Sequence, residues 1–198
     1  MSIEIQPVTD FPCALGEGPL WHPGEQRLYW TDIDGHRLHS WDPSSGGHQT
    51  YDTGCPVGCL GLRRGGGFVL ATKRGFALWD LRGPMQIIAH PEAHKPDARF
   101  NDGAVDAAGR FWAGTYGASF DSALYRLDPG GAIERMLDAM GNELLDSPTS
   151  CRVSSGGNAA ETLRVRSRLV SNPKRLVSQV SHYDGMRNEL PGRPPPAD

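Results

Sequence analysis

The residues best equipped for chemistry stand in two short stretches. One is Leu15-Gly16-Glu17-Gly18-Pro19, with a single carboxylate between two glycines; the other is Arg99-Phe100-Asn101-Asp102-Gly103. An ionised glutamate is a hard oxygen donor of the kind that suits calcium, magnesium or manganese, but such ions need several oxygens converging on one point. The Arg99 guanidinium offers charge-assisted hydrogen bonds to ligand oxygens, and the Asn101 amide carries both a donor and an acceptor. These groups orient a ligand; none of them activates water by itself. Structural roles compete with each reading: a Glu between glycines is ordinarily a solvated turn residue, Arg99 and Asp102 could pair to pin a loop, and Asn101 could support a turn.

The elements that would position these groups recur along the chain. Arg27-Leu28-Tyr29-Trp30-Thr31, Phe68-Val69-Leu70-Ala71-Thr72 and Phe111-Trp112-Ala113-Gly114-Thr115 read as apolar strands, each ending in Thr and each preceded by a Gly-bearing turn. A second strand follows each. Leu38, Phe76 and Leu124 stand four residues before Asp42, Asp80 and Asp128, so the repeat length is 38 and then 48 residues. That is the blade-sized period of a β-propeller, in which small antiparallel sheets stack radially to cover each other's faces. The recurring aspartates initiate turns; repetition argues for structure rather than catalysis there. Arg99 to Gly103 reads as a polar loop leading into the third repeat, and Ile3, Ile5 and Pro7 suit a short edge strand.

Composition bounds the rest. With 25 Gly and 16 Pro in 198 residues, many short elements joined by tight turns are expected, which favours an all-β fold. A net charge of -3 argues against nucleic acid, and no apolar run approaches the ~20 residues of a membrane span. The N-terminus lacks a basic start and an apolar h-region, and Cys13, Cys55, Cys59 and Cys151 lack paired spacing, so the expected compartment is the cytoplasm. All five Trp, all six Phe and four of five Tyr lie at or before Tyr125. The segment after Asp138 therefore cannot build a core of the same kind. Its strand-like piece, Leu163 to Leu169, alternates apolar and basic, and the whole is expected to be poorly ordered. The domains expected are a partial propeller over 1–139 and an Arg/Ser/Pro-rich tail over 140–198 that is disordered or out of frame.

Other constellations are weaker. His90 and His94 have the i, i+4 spacing of a helical zinc pair, but Pro91 lies between them. Cys55 and Cys59 suit neither a redox pair nor a zinc knuckle. Arg63-Arg64-Gly65-Gly66-Gly67 is most simply a solvated hairpin loop.

The two chemistry-bearing stretches, together with Leu28-Tyr29-Trp30-Thr31-Asp32-Ile33 and Gly109-Arg110-Phe111-Trp112-Ala113-Gly114-Thr115, resemble the gluconolactonase and senescence-marker-protein (regucalcin) family over roughly residues 10 to 139. The resemblance implies a six-bladed β-propeller, of which this chain carries about three blades. It also implies one divalent metal, whether calcium, manganese, zinc or magnesium, and hydrolysis of sugar lactones. Glu17 resembles the first metal ligand, and Arg99 and Asn101 resemble substrate-holding residues. The family's remaining ligands are an Asn in an Asn-Gly pair and a later Asp that also serves as general base. Neither motif stands here: Leu144 occupies the expected Asn position, with Asn142 and Asp146 only reachable by a shift. The catalytic residue is thus unassigned and the metal site incomplete. Two function classes follow. One is a truncated lactone hydrolase, weakly active or inactive, whose partner is a small sugar lactone. The other is a non-catalytic half-propeller scaffold whose open edges offer self-association.

Overall fold

The computed structural model describes residues 7–117, 122–140 and 182–183. Three four-stranded antiparallel meanders follow one another along the chain. The first contains β1 (Gly16–His22), β2 (Arg27–Asp32), β3 (Arg37–Trp41) and β4 (His48–Asp52). The second contains β5 (Val57–Arg63), β6 (Phe68–Thr72), β7 (Gly75–Trp79) and β8 (Gln86–Ala89), and the third β9 (Arg99–Val105), β10 (Phe111–Tyr116), β11 (Ser122–Leu127) and β12 (Ile133–Met140). Each sheet keeps its sequence order, as a propeller blade does, and among the first strands β5 lies against both β1 and β9. The expected all-β, three-bladed architecture is the one observed.

Of the tail, His182–Tyr183 is described. It forms a short strand, β13, parallel to β5, with His182 opposite Leu62 and Tyr183 opposite Arg63. The edge strand expected near Ile3 and Ile5, the piece from Leu163 to Leu169 and the alternatives Asn142, Leu144 and Asp146 lie outside the described residues.

Side-chain alternation divides the second blade between two cores. Val69, Ala71, Phe76 and Leu78 face the third blade and pack with Phe100, Phe111, Ala113 and Tyr125. Leu60, Phe68, Leu70, Ala77 and Trp79 face the first, with Tyr29 and Leu38. Successive side chains of a strand point to opposite faces, so a blade covered on both sides needs apolar residues at every position. Aromatic rings carry the contacts across blades: Tyr29 lies 4.8 Å from Phe68 and Phe76 lies 4.7 Å from Phe100, centroid to centroid.

Turns close on backbone and carboxylate bonds. The Asp42 carboxylate accepts from the Ser44 amide (2.8 Å) and hydroxyl (2.6 Å), which holds its carboxyl down to about 2; the Asp80 carboxylate accepts from the Arg82 amide (2.9 Å). The hairpin tip at Arg64 and Gly65 is exposed as expected, whereas Arg63, the last residue of β5, is buried, 5% exposed, and its guanidinium donates to the Gly66 carbonyl.

Candidate functional site

Glu17 is the second residue of β1, Gly58 the second of β5, and Arg99 and Asn101 the first and third of β9. All four therefore lie at the same end of adjoining innermost strands. Their backbones are close. A β-carbon on Gly18 would stand 3.8 Å from the Gly58 carbonyl oxygen, and one on Gly58 would collide with the carbonyl oxygens of Phe100 and Asn101. Gly58 lets β5 approach β9 without a side chain between them, and Gly18, at φ 59°, lets β1 bulge beside Glu17.

Both chemistry-bearing stretches are strands rather than the turn and loop that their composition suggested. Glu17 pairs with Thr31 and Arg99 with Tyr116, each next to a register shift, so polar and glycine residues are carried on irregular edges of paired strands. The Glu17 side chain is exposed, and its own carbonyl accepts from the Thr31 hydroxyl at 3.2 Å. Arg99 and Asn101 are half-buried and bonded to one another: the guanidinium donates to Asn101 Oδ1 at 2.6 Å and to the Phe100 carbonyl at 3.2 Å. It also lies over the Tyr116 ring, 5.3 Å from the centroid. A guanidinium only donates, so Asn101 must present its oxygen to Arg99 and keep its NH2 for another acceptor. Asp102 is exposed and bonds the Gly103 amide (2.7 Å); the Arg99–Asp102 pairing gives way to Arg99–Asn101.

Nearby nucleophiles are inert. Burial, with the Asp102 charge adding to it, pushes the Cys59 thiol well above its ordinary value, where it is protonated and unreactive. His90 and His94 lie in a turn rather than on a helix, and the residue that matters there is Glu92, which composition did not single out. It is 3% exposed, accepts from the Tyr125 hydroxyl (2.7 Å) and pairs with Lys95 (3.0 Å), fastening the β8–β9 connection to the third blade. A buried Glu between two His in a Pro-bearing turn gives no periodic signal.

For a divalent ion the donor set at Glu17 is one carboxylate. Among the described residues, the group of three convergent donors is Cys13, Asp32 and His39, which does not include Glu17. The described residues at this end thus suit one ligand of an oxygen-rich ion and do not by themselves make its site.

Residues 15–143 match the family model described as SMP-30/Gluconolactonase/LRE-like region. The chain belongs to the SMP-30/gluconolactonase family. Among its relatives, a 6-deoxy-6-sulfogluconolactonase of Pseudomonas putida is 43% identical over 116 residues, which are 58% of this chain and 40% of that protein. Regucalcin of Xenopus laevis is 36% identical over 131 residues, 65% of this chain and 44% of regucalcin. The fold agrees with the crystal structure of a calcium-binding protein, regucalcin, from Agrobacterium tumefaciens: TM-score 0.63 at 24% identity, covering 67% of this chain and 46% of that one. The chain spans less than half the length of the family members it matches here.

Proposed function

We propose that this chain carries the substrate-orienting part of a sugar-lactone hydrolase site. The observation that supports it most is the meeting of β1, β5 and β9 at one end, with exposed Glu17 on one side and the Arg99–Asn101 pair on the other. Glu17 is one ligand of a divalent ion. Arg99 and Asn101 hold the oxygens of the lactone, Arg99 as a fixed cation and Asn101 through its free NH2. No general base is assigned among the described residues, so this chain alone hydrolyses lactones near background and binds the ion weakly; loss of a catalytic acid or base typically costs 10²–10⁴ in rate. Residues 1–139 act as the partial propeller and 140–198 as an appended tail. No described helix is long and apolar enough to cross a membrane, and the cytoplasm is the proposed compartment.

A second reading, a non-catalytic half-propeller that associates through its open blade faces, is favoured by the single donor at Glu17. Gluconolactone-type hydrolysis by the purified 198-residue chain, with calcium, manganese or zinc added and an Asn101→Ala variant alongside, separates the two. Weak metal-dependent turnover that falls in the variant supports the site. No turnover, with a dimer in sedimentation equilibrium, supports the scaffold. Robust turnover in the parent chain would overturn the claim that the base is lacking.

A further inference from the structure

The first blade carries a second donor cluster with chemistry unlike that at Glu17. Cys13, Asp32 and His39 each offer one ligand atom, and the three atoms lie within 4.8 Å of one another. The sheet explains the meeting. Trp30 and Asp32 share a face of β2, the register sets Trp30 opposite His39 on β3, and the segment before β1 lays Cys13 across that face.

Each donor is already oriented by a partner that leaves one lone pair over. On Asp32, 4% exposed, Oδ1 accepts from the Leu15 (2.9 Å) and Gly35 (3.1 Å) amides and Oδ2 from Ala14 (3.1 Å). A carboxylate has about four acceptor sites, so one remains, on Oδ2. His39 is wholly buried, and its Nδ1 lies 3.1 Å from the Thr50 hydroxyl oxygen and 3.2 Å from His48 Nε2. In the Nδ1–H tautomer either of these neighbours can accept from Nδ1, and Nε2 then keeps its lone pair. That Nε2 is buried without any hydrogen-bond partner. Cys13 Sγ accepts from the Trp30 indole N–H at 3.3 Å, a contact that fixes where the sulfur lies. An amide-held carboxylate, an imidazole fixed at its far nitrogen and an indole-bonded sulfur form the outer shell that metal ligands ordinarily have.

We propose that Cys13, Asp32 and His39 form a zinc(II) site that staples the segment before β1 to strands β2 and β3. One sulfur, one nitrogen and one oxygen suit this borderline ion better than calcium or magnesium, which take oxygen alone. Tetrahedral bonds of about 2.0–2.3 Å separate ligand atoms by roughly 3.3–3.8 Å, so the cluster closes by about 1.5 Å or less. Cys13 is partly exposed, which gives the ion a way in and leaves the fourth position to water. On binding, the Cys13 thiol gives its proton to solvent and the sulfur's electron pair to the metal. Glu17 is not one of its donors, although Gly16 beside it pairs with Asp32, and the site does not depend on the lactonase reading.

Cobalt(II) is the probe, titrated into the full 198-residue chain under a non-thiol reductant. The expected result is a near-ultraviolet thiolate-to-cobalt charge-transfer band that saturates at one equivalent and is displaced by zinc. Cys13→Ser, at a partly exposed position that tolerates the change, removes the band, and with it the rise in melting temperature that zinc gives the parent. Trp30→Phe keeps the ligands but weakens binding about 10–100-fold. Glu17→Gln leaves band and affinity unchanged. Absence of the band in the parent chain, or its survival in Cys13→Ser, overturns the proposal.

Discussion

The central blade and its two neighbours are built from the same repeat but buried differently. Every residue of β5, β6 and β7 is buried, whereas β10 alternates between buried and half-buried and β2 is buried mainly in its second half. The central blade has a neighbour on each face, so β5 and β6 read as Val-Gly-Cys-Leu-Gly-Leu-Arg and Phe-Val-Leu-Ala-Thr, with polar residues only at their ends. The flanking blades face a neighbour on one side only among the described residues, and they hold their turns and outer faces with carboxylates, indoles and guanidiniums instead. Close packing is thus the cohesive device in the middle, and directed polar bonds are the device at the sides.

The largest test of that contrast is Gly58→Val. A β-carbon there meets two carbonyl oxygens of β9, and backbone cannot step aside as a side chain can, so the second and third blades cannot dock. A loss of more than about 4 kcal/mol, read as the absence of a cooperative melt, is expected. Gly16→Ala in the first blade meets only the Cys13 side chain, at 3.3 Å from its β-carbon and 3.7 Å from Sγ, and should stay within about 1 kcal/mol of the parent. Comparable losses for the two would erase the distinction between centre and flank.

Next in size is Phe76→Ala, which empties a wholly buried ring site touching Phe100 and Phe111 and should cost about 3–5 kcal/mol in denaturant unfolding. Trp112→Ala on the half-buried face of β10 removes a larger side chain but should cost less, about 1–2 kcal/mol.

The blades were legible in the sequence because strand, turn and terminal aspartate recur at a fixed order, and repetition averages out the ambiguity of any one short apolar run. The roles proposed for Glu17, Arg99 and Asn101 rest on family likeness. Spacing did not indicate that Arg99 and Asn101 bond each other, nor that the stretch is a strand, because Asn, Asp and Gly usually signal loops. Glu92 and the cluster of Cys13, Asp32 and His39 were not legible. Their members are joined by tertiary register between strands, and residues 13, 32 and 39 share no local pattern.

Glu92 supplies a third test, of intermediate size. Replacing it with Ala removes the bonds that Glu92 makes to the Tyr125 hydroxyl and the Lys95 ammonium and opens a buried space, at an expected cost of about 2–3 kcal/mol. Tyr125→Phe should lose less, since Lys95 still satisfies the carboxylate. Equal losses would mean that the hydroxyl bond carries the whole contact.

The smallest effect is expected at one turn position that the central and flanking blades fill differently. Arg63 and Asp106 are equivalent: each amide donates to the carbonyl four residues on, at 3.0 and 2.9 Å, and each carbonyl accepts from the amide three residues on. In the central blade this residue is a buried arginine. In the third blade it is an aspartate that gathers the Ala108 and Arg110 amides (2.9 and 3.0 Å), the Arg110 guanidinium (2.6 Å) and the Trp112 indole (2.8 Å). Partial burial pushes the Asp106 carboxyl up, but these donors outweigh it and hold the group below the usual carboxylate range. Because the folded value lies under the unfolded one, the contribution is complete above about pH 5 and is lost as pH falls through the folded value. Asp106→Asn should therefore cost about 1 kcal/mol near neutrality, discounted for the turn's solvent exposure, and progressively less as pH falls through the folded value. Urea unfolding of parent and variant from pH 7 to pH 2 measures the gap. A gap that stays constant down to pH 2 would show that the turn is held by its backbone bonds, as in the central blade, and that the carboxylate contributes shape rather than charge.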